Sequence, residues 1–279
     1  MLGWASLMKF FRTGRIMRGS YLLAVIVGLM SMFFACGQDK PQDRPDRTFD
    51  VAAIRRSDPN VRNGYIKAMP GGNGYSAQNV PVKLMISLMY KVPMRQIKGA
   101  PEWLATDGYD VQAKSDHASN IDDLHVMFQN LLADRFNLKF HKEIKEGPVY
   151  ALMVDKSGSK LKVDESPQDF SIPMNDNEDD VTVGKRVNME YFCWWLGRVL
   201  HQDERPVIDR TGLTQSYDFT LSFAPVLPPN VSQEKLPNGL LDRPSIFDAL
   251  KEQLGLKLVA EKGPVVYYVI DHVERPSAN

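Results

Sequence analysis

The chain has 279 residues, with 34 basic and 34 acidic side chains, five histidines, 18 prolines, 19 glycines and two cysteines. A hydrophobic fraction of 43% is globular composition and excludes disordered, collagenous and multi-span membrane chains. The zero charge balance argues against a nucleic-acid partner bound by broad phosphate neutralisation, and two cysteines cannot build a disulfide framework or a four-thiolate zinc site.

The N-terminus reads as an address. Residues 1–36 hold Lys9, Arg12, Arg15 and Arg18 and no acid. An uncharged run, 21–35 (YLLAVIVGLMSMFFA), precedes Cys36 and Gly37. A basic start, an apolar core and a small residue predict a signal peptide over 1–35. The run is shorter than the ~20 residues that cross a membrane. Ala35 and Gly37 around Cys36 predict a lipoprotein, with Cys36 lipidated at the new N-terminus. Phe33 departs from the usual leucine, and Met17 is an alternative start. An uncleaved anchor and a soluble secreted form are the other readings. Gly37 in place of aspartate places the chain, by analogy, at the outer membrane facing the periplasm. Residues 37–279 carry 30 basic and 34 acidic side chains. That balance does not favour anionic lipid surfaces.

Residues 36–47 (CGQDKPQDRPDR) read as a polar tether. The first strand is expected in TFDVAAI, and Gly64, Gly71, Gly72 and Gly74 mark a hairpin tip. An apolar helix over LMISLMY leads to a strand at Tyr109-Asp110-Val111. Residues 131–156 read as helix, short strand, turn at Gly147-Pro148 and second strand. Residues 164–180 carry seven acids and no base and read as a solvated loop, without the ligand spacing of a calcium loop. A second apolar helix, MEYFCWWLGRVL, leads to Tyr217-Asp218-Phe219. Residues 225–244 read as a second loop. Residues 249–272 repeat the earlier pattern, with Leu250, Leu254 and Gly263-Pro264 in place of Leu132, Phe136 and Gly147-Pro148. The expected fold is α+β. It has two similar lobes at 48–163 and 187–276, joined by an acidic linker at 164–186. Each lobe comprises two helix-strand-strand units with helices on an antiparallel sheet.

Several strings in order sharpen this reading: FDVAAI, GAPEWL, LLADRFNLKFHKE, PVYALMVDKSGSKL, RPVIDRTGLTQSYDFTL and the last thirty residues. Together they resemble the large family of uncharacterised exported proteins expanded in soil acidobacteria, a domain of unknown function. The resemblance spans about 48–279 and implies envelope localisation and the repeated α+β build. It implies no catalytic or binding residues. The helix-plus-two-strands unit also resembles the short N-terminal modules of secretins and TonB-dependent receptors, which bind peptides and neighbouring proteins.

Catalytic parts are scarce. His117, His125, His141, His201 and His272 lack metal-ligand spacing, although His141 and Glu143 can share a strand face. No nucleophile elbow is present, and Cys193 sits among aromatics. Hence no cofactor, metal or catalytic residue is assigned. Asp209 and Thr211 suit an Asx turn closed by Gly212, or a ligand-facing loop. Trp194 and Trp195 suit a binding shelf or a packed interface. The expected function is a non-enzymatic envelope lipoprotein that binds a protein or peptide, with exposed strand edges suited to strand addition. An envelope hydrolase with scattered residues and a small-ligand carrier are the alternatives.

Overall fold

The computed structural model describes residues 47–166, 173–176, 181–200, 205–226 and 239–276. Cys36, the signal, His201 and most of the two long loops lie outside the described residues. Pro45–Asn279 form one compact unit. It is α+β, with helices packed against three four-stranded sheets among the described residues.

The first sheet contains β1 (Val51–Arg56), β2 (Tyr65–Ala68), β3 (Gly74–Pro81) and β5 (Gly108–Lys114), in the antiparallel order β1-β5-β3-β2. Side chains alternate across it. Ile54, Tyr75, Ala77, Val111 and Ala113 point inward and are buried. Two helices supply the other half of this core: α1 (Val82–Met89) and α3 (Ile121–Arg135). The Asn120 side chain caps α3 by accepting from the Asp123 N–H at 2.9 Å. Asp122 and Asp123 at the start and Arg135 at the end complement the helix dipole. Phe136 closes α3, and Asn137 takes the left-handed conformation at φ 47° that lets the chain turn away. A short helix, α2 (Trp103–Thr106), drops Leu104 into the same core.

The central sheet corrects the sequence reading. The expected turns at Gly147-Pro148 and Gly263-Pro264 do not exist. Each copy is one long strand, β6 (Lys139–Val154) and β12 (Leu256–His272), and the two pair antiparallel along their length. Gly147 sits opposite Gly263 at the middle. A Cβ on Gly147 would lie 3.1 Å from Val265 Cγ2, and one on Gly263 would lie 3.0 Å from Val149 Cγ2. The glycines therefore leave room for buried Val149 and Val265 to pack across the ribbon. The prolines do no harm because of the register. Tyr150 donates its N–H outward to Pro206, so Pro148, two residues earlier, also faces away from β12. Pro264 opposes Glu146 at the equivalent position. Neither missing N–H falls in the β6–β12 ladder. Short strands flank the pair in parallel, β10 (Val207–Asp209) beside β6 and β4 (Ile97–Lys98) beside β12.

The third sheet joins β7 (Lys162–Val163), β8 (Met174–Asp176), β9 (Thr182–Val187) and β11 (Tyr217–Leu221) in the order β7-β11-β9-β8. Strand β8 lies within the stretch read as an acidic loop, and β9 begins inside the stretch read as a linker. The second core gathers α4 (Met189–Val199), α5 (Ile246–Ala249) and the π-turn Leu250–Leu254 against these strands. Asn188 and Ser245 cap α4 and α5 through the Tyr191 and Asp248 N–H groups. Gly255, at φ 66°, ends the π-turn where any Cβ would lie 1.9 Å from the Gly158 carbonyl oxygen.

Both cores draw on both long strands. Leu138, Phe140, Tyr268 and Ile270 belong to the first core, and Tyr150, Leu152, Leu256 and Leu258 to the second. The Tyr-Asp pairs hold matching irregularities. Tyr109 and Tyr217 are buried. Asp110 Oδ1 accepts from the Asn79 N–H and Asp218 Oδ1 from the Arg186 N–H, both at 3.0 Å. Asn79 and Arg186 have φ of 50° and 53°, each at a register shift two residues before a helix N-cap.

Candidate functional site

Among the described residues, one face of the first sheet is broadly uncovered. Val51, Ala53, Arg55, Gln112, Lys114, Gln78, Tyr65 and Lys67 all point to it and are exposed. An open groove of about 740 Å³ lies here, bounded by Ala53, Arg55, Arg56, Tyr65, Asp110 and Arg275. Gln112 donates to Ser76 Oγ at 2.7 Å, and the Tyr65 hydroxyl lies 3.3 Å from the same oxygen. This chain of polar contacts fixes one wall.

Recessed carboxylates hold the arginines. Arg55 Nε donates to Asp110 Oδ2 at 3.1 Å, and Nη2 lies 3.1 Å from the same oxygen as an ion pair. Arg56 Nη2 donates to Asp107 Oδ1 at 3.0 Å, while Arg275 Nε and Nη2 donate to Asp107 Oδ2 at 3.2 and 3.1 Å. The Arg275 guanidinium also lies 4.8 Å from the Trp103 ring centroid. Burial alone would raise the Asp110 carboxyl. Hydrogen bonds from Ser57 Oγ, the Asn79 N–H and Arg55 outweigh it, and the net direction is downward. The arrangement can bind and orient a ligand.

Beside the groove runs the edge of the sheet. β1 pairs with β5 on one side, and among the described residues no strand lies on the other. Ser57 donates its N–H to the Gly108 carbonyl, so Val51, Ala53 and Arg55 bond to β5 while Ala52, Ile54 and Arg56 face outward. The Ala52 carbonyl accepts from Arg135 at 3.4 Å. The outward groups of Ile54 and Arg56 lie beside the groove.

The residues singled out from sequence lie elsewhere. Asp209 Oδ1 accepts from the Thr211 N–H and Oγ1 at 2.8 and 2.7 Å, and Gly212 follows at φ 71°, so the turn satisfies its own groups. Trp195 stacks on Phe192 at 5.9 Å in the second core. Trp194 packs on Tyr191 at 5.3 Å with the Arg198 guanidinium 5.0 Å from its ring. None of the four lines the groove. Cys193 is buried, which pushes its thiol pKa up. His141 and Glu143 do share a face, but Asp271 holds His141 Nδ1 at 2.7 Å and Glu143 stands 3.5 Å from Nε2. The Asp271 hydrogen bond raises the His141 pKa. Asp50, Asp116 and His117 bring exposed ligand atoms within 4.8 Å of one another at the end of the first sheet. A smaller cavity of about 220 Å³ is lined by Lys91, Asp122, His125, Gln129, Asn188 and Glu190.

Sequence reasoning missed the arginine groove. Arg55-Arg56 at the end of an alternating strand was the available signal, since one of two adjacent strand residues must face outward. Arg275 reaches the pair only through the fold.

Comparison with known proteins supplies the rest. No curated protein matches, and no solved structure matches. A family model described as a protein of unknown function, DUF3738, matches residues 83–273. Tyr109, Asp110 and Gln112 of the groove fall inside that match, whereas Arg55, Arg56 and Arg275 fall outside it. The match covers well over half of the chain, which therefore belongs to the DUF3738 family of proteins of unknown function.

Proposed function

We propose that this protein is a non-enzymatic lipoprotein of the cell envelope that binds an extended segment of a partner protein by strand addition at β1. The edge and grooved sheet face left open among the described residues carry the reading. Outward N–H and C=O groups supply generic affinity, and the groove supplies selection. The basic, apolar N-terminus ending at Cys36 supports the envelope setting. The matching Tyr-Asp pairs, bulges and glycine-centred strands support descent of both halves from one duplicated unit.

The test is cross-linking in intact cells that produce the tagged full-length chain. Ala53 is exposed on the groove floor, so Ala53→Trp blocks the groove without touching the core. Wild type is expected to capture a reproducible envelope protein, with capture by the variant reduced at least about tenfold. Equal capture by both, or none from folded, exported wild type, contradicts the reading. A Cys36→Ser chain that keeps a fatty-acid label contradicts the lipid anchor.

A further inference from the structure

We propose that the groove selects partner segments bearing carboxylates, which Arg55, Arg56 and Arg275 receive; this rests on the strand-addition reading above. The charges at this end of the sheet are layered. Asp107 and Asp110 are recessed, with side chains 11% and 16% exposed, whereas Arg55, Arg56 and Arg275 are 81%, 66% and 54% exposed. Two carboxylates hold three guanidiniums, so one positive charge is left uncompensated. Lys67 and Lys114 on the exposed face of the sheet add two more.

The geometry favours a planar anion. Arg275 spends Nε and Nη2 on Asp107, Arg56 spends Nη2 on it, and Arg55 spends Nε on Asp110. A guanidinium has five N–H donors, more than these aspartate contacts use. The recessed aspartates hold the guanidiniums, and the Trp103 ring steadies Arg275, so less side-chain entropy is lost when a carboxylate arrives. A strand added at β1 directs alternate side chains to this face, at roughly 7 Å intervals. Arg55 and Arg56 follow one another on β1 and point to opposite faces, so an acidic residue on the exposed face would meet Arg55, and one at an adjacent position would meet Arg56 and Arg275 beside Asp107. Residues 37–279 carry more acids than bases, so this basic patch stands against the average charge of the body. Non-specific attraction therefore does not account for acid selectivity.

The test uses the purified full-length chain in detergent and fluorescence anisotropy. The probes are labelled peptides alternating valine with glutamate, glutamine or lysine, each with a free or an amidated C-terminus, and a single-stranded oligouridine. The glutamate peptide is expected to bind about tenfold more tightly than the glutamine peptide, with a loss of affinity at high salt. Arg55→Gln and Arg275→Gln should bring the two peptides close to parity while leaving the glutamine peptide unchanged. Arg55→Lys should recover only part of the preference, because an ammonium lacks the fork. If amidation alone removes binding, the carboxylate recognised is a chain terminus; if only the glutamate-to-glutamine exchange does, it is a side chain. Equal binding of glutamate and glutamine peptides overturns acid selection and leaves strand addition standing. Failure of every peptide to bind overturns both. Oligouridine binding more tightly than the glutamate peptide overturns the proposal in favour of a phosphate-binding face.

Discussion

Replacing Phe136 by alanine is expected to destabilise the whole body by about 3–5 kcal/mol, the range for a large aromatic removed from a close-packed core. Phe136 is fully buried, meets Tyr109 edge-on at 5.3 Å, and its carbonyl accepts from the Glu274 N–H at 2.7 Å. The more specific consequence lies in the second core. Strands β6 and β12 run unbroken through both cores, so neither core can lose its part of the ribbon without disturbing the other. Cys193 reports on this, because its buried thiol in the second core is protected until that core opens. In a Cys36→Ser background, Phe136→Ala should lower the urea midpoint for Cys193 alkylation as much as the midpoint for loss of circular dichroism. A variant that loses part of its dichroism at low urea while Cys193 stays protected to the wild-type midpoint would show two independent cores.

Acid sensitivity between pH 6.5 and 4 is expected to come in large part from His125. Its side chain stacks on Tyr75 at 6.1 Å, and its Nδ1 is buried without a partner. Burial, aided by the Lys91 charge and opposed by Asp122, pushes the imidazole down to about 4. The folded state thus binds its proton later than the unfolded state. This contribution is fully present above about 6.5 and is lost as pH falls towards 4, by roughly 3 kcal/mol in all. His125→Phe keeps the ring and removes the proton site. Urea midpoints at pH 7 and pH 5 should therefore differ for wild type and lie much closer in the variant. The same fall in both would assign the acid sensitivity elsewhere. His141 works in the opposite sense. Asp271 raises its pKa, so its contribution is present below the ordinary histidine value and is lost as pH rises through the raised one.

Much of the fold was legible because local rules act locally. Asn120 and Asn188 before amphipathic runs mark α3 and α4, and alternation marks β1, β5 and β11. The repeated glycine-proline pair misled for a physical reason. In isolation a Gly-Pro step reads as a turn, since proline lacks a donor and glycine weakens a strand. Here the opposite strand supplies what the local sequence cannot show: a register that sends both proline nitrogens to the outer edges and a valine to pack over each glycine. Likewise, Asp209-Thr211-Gly212 was legible as a turn because its hydrogen bonds close within three residues. The groove was not, because its arginines come from β1 and from the chain's far end and are held by Asp107 and Asp110 of a third segment.

Amide hydrogen exchange of β1, with and without a saturating glutamate-valine peptide, tests the functional account most directly. The amides of Val51, Ala53 and Arg55 already bond to β5, whereas those of Ile54 and Arg56 face the open edge. Strand addition predicts that peptide slows exchange at Ile54 and Arg56, with little change at their neighbours. Unchanged exchange at these two amides, with peptide bound, would mean that the partner does not add to the β1 edge.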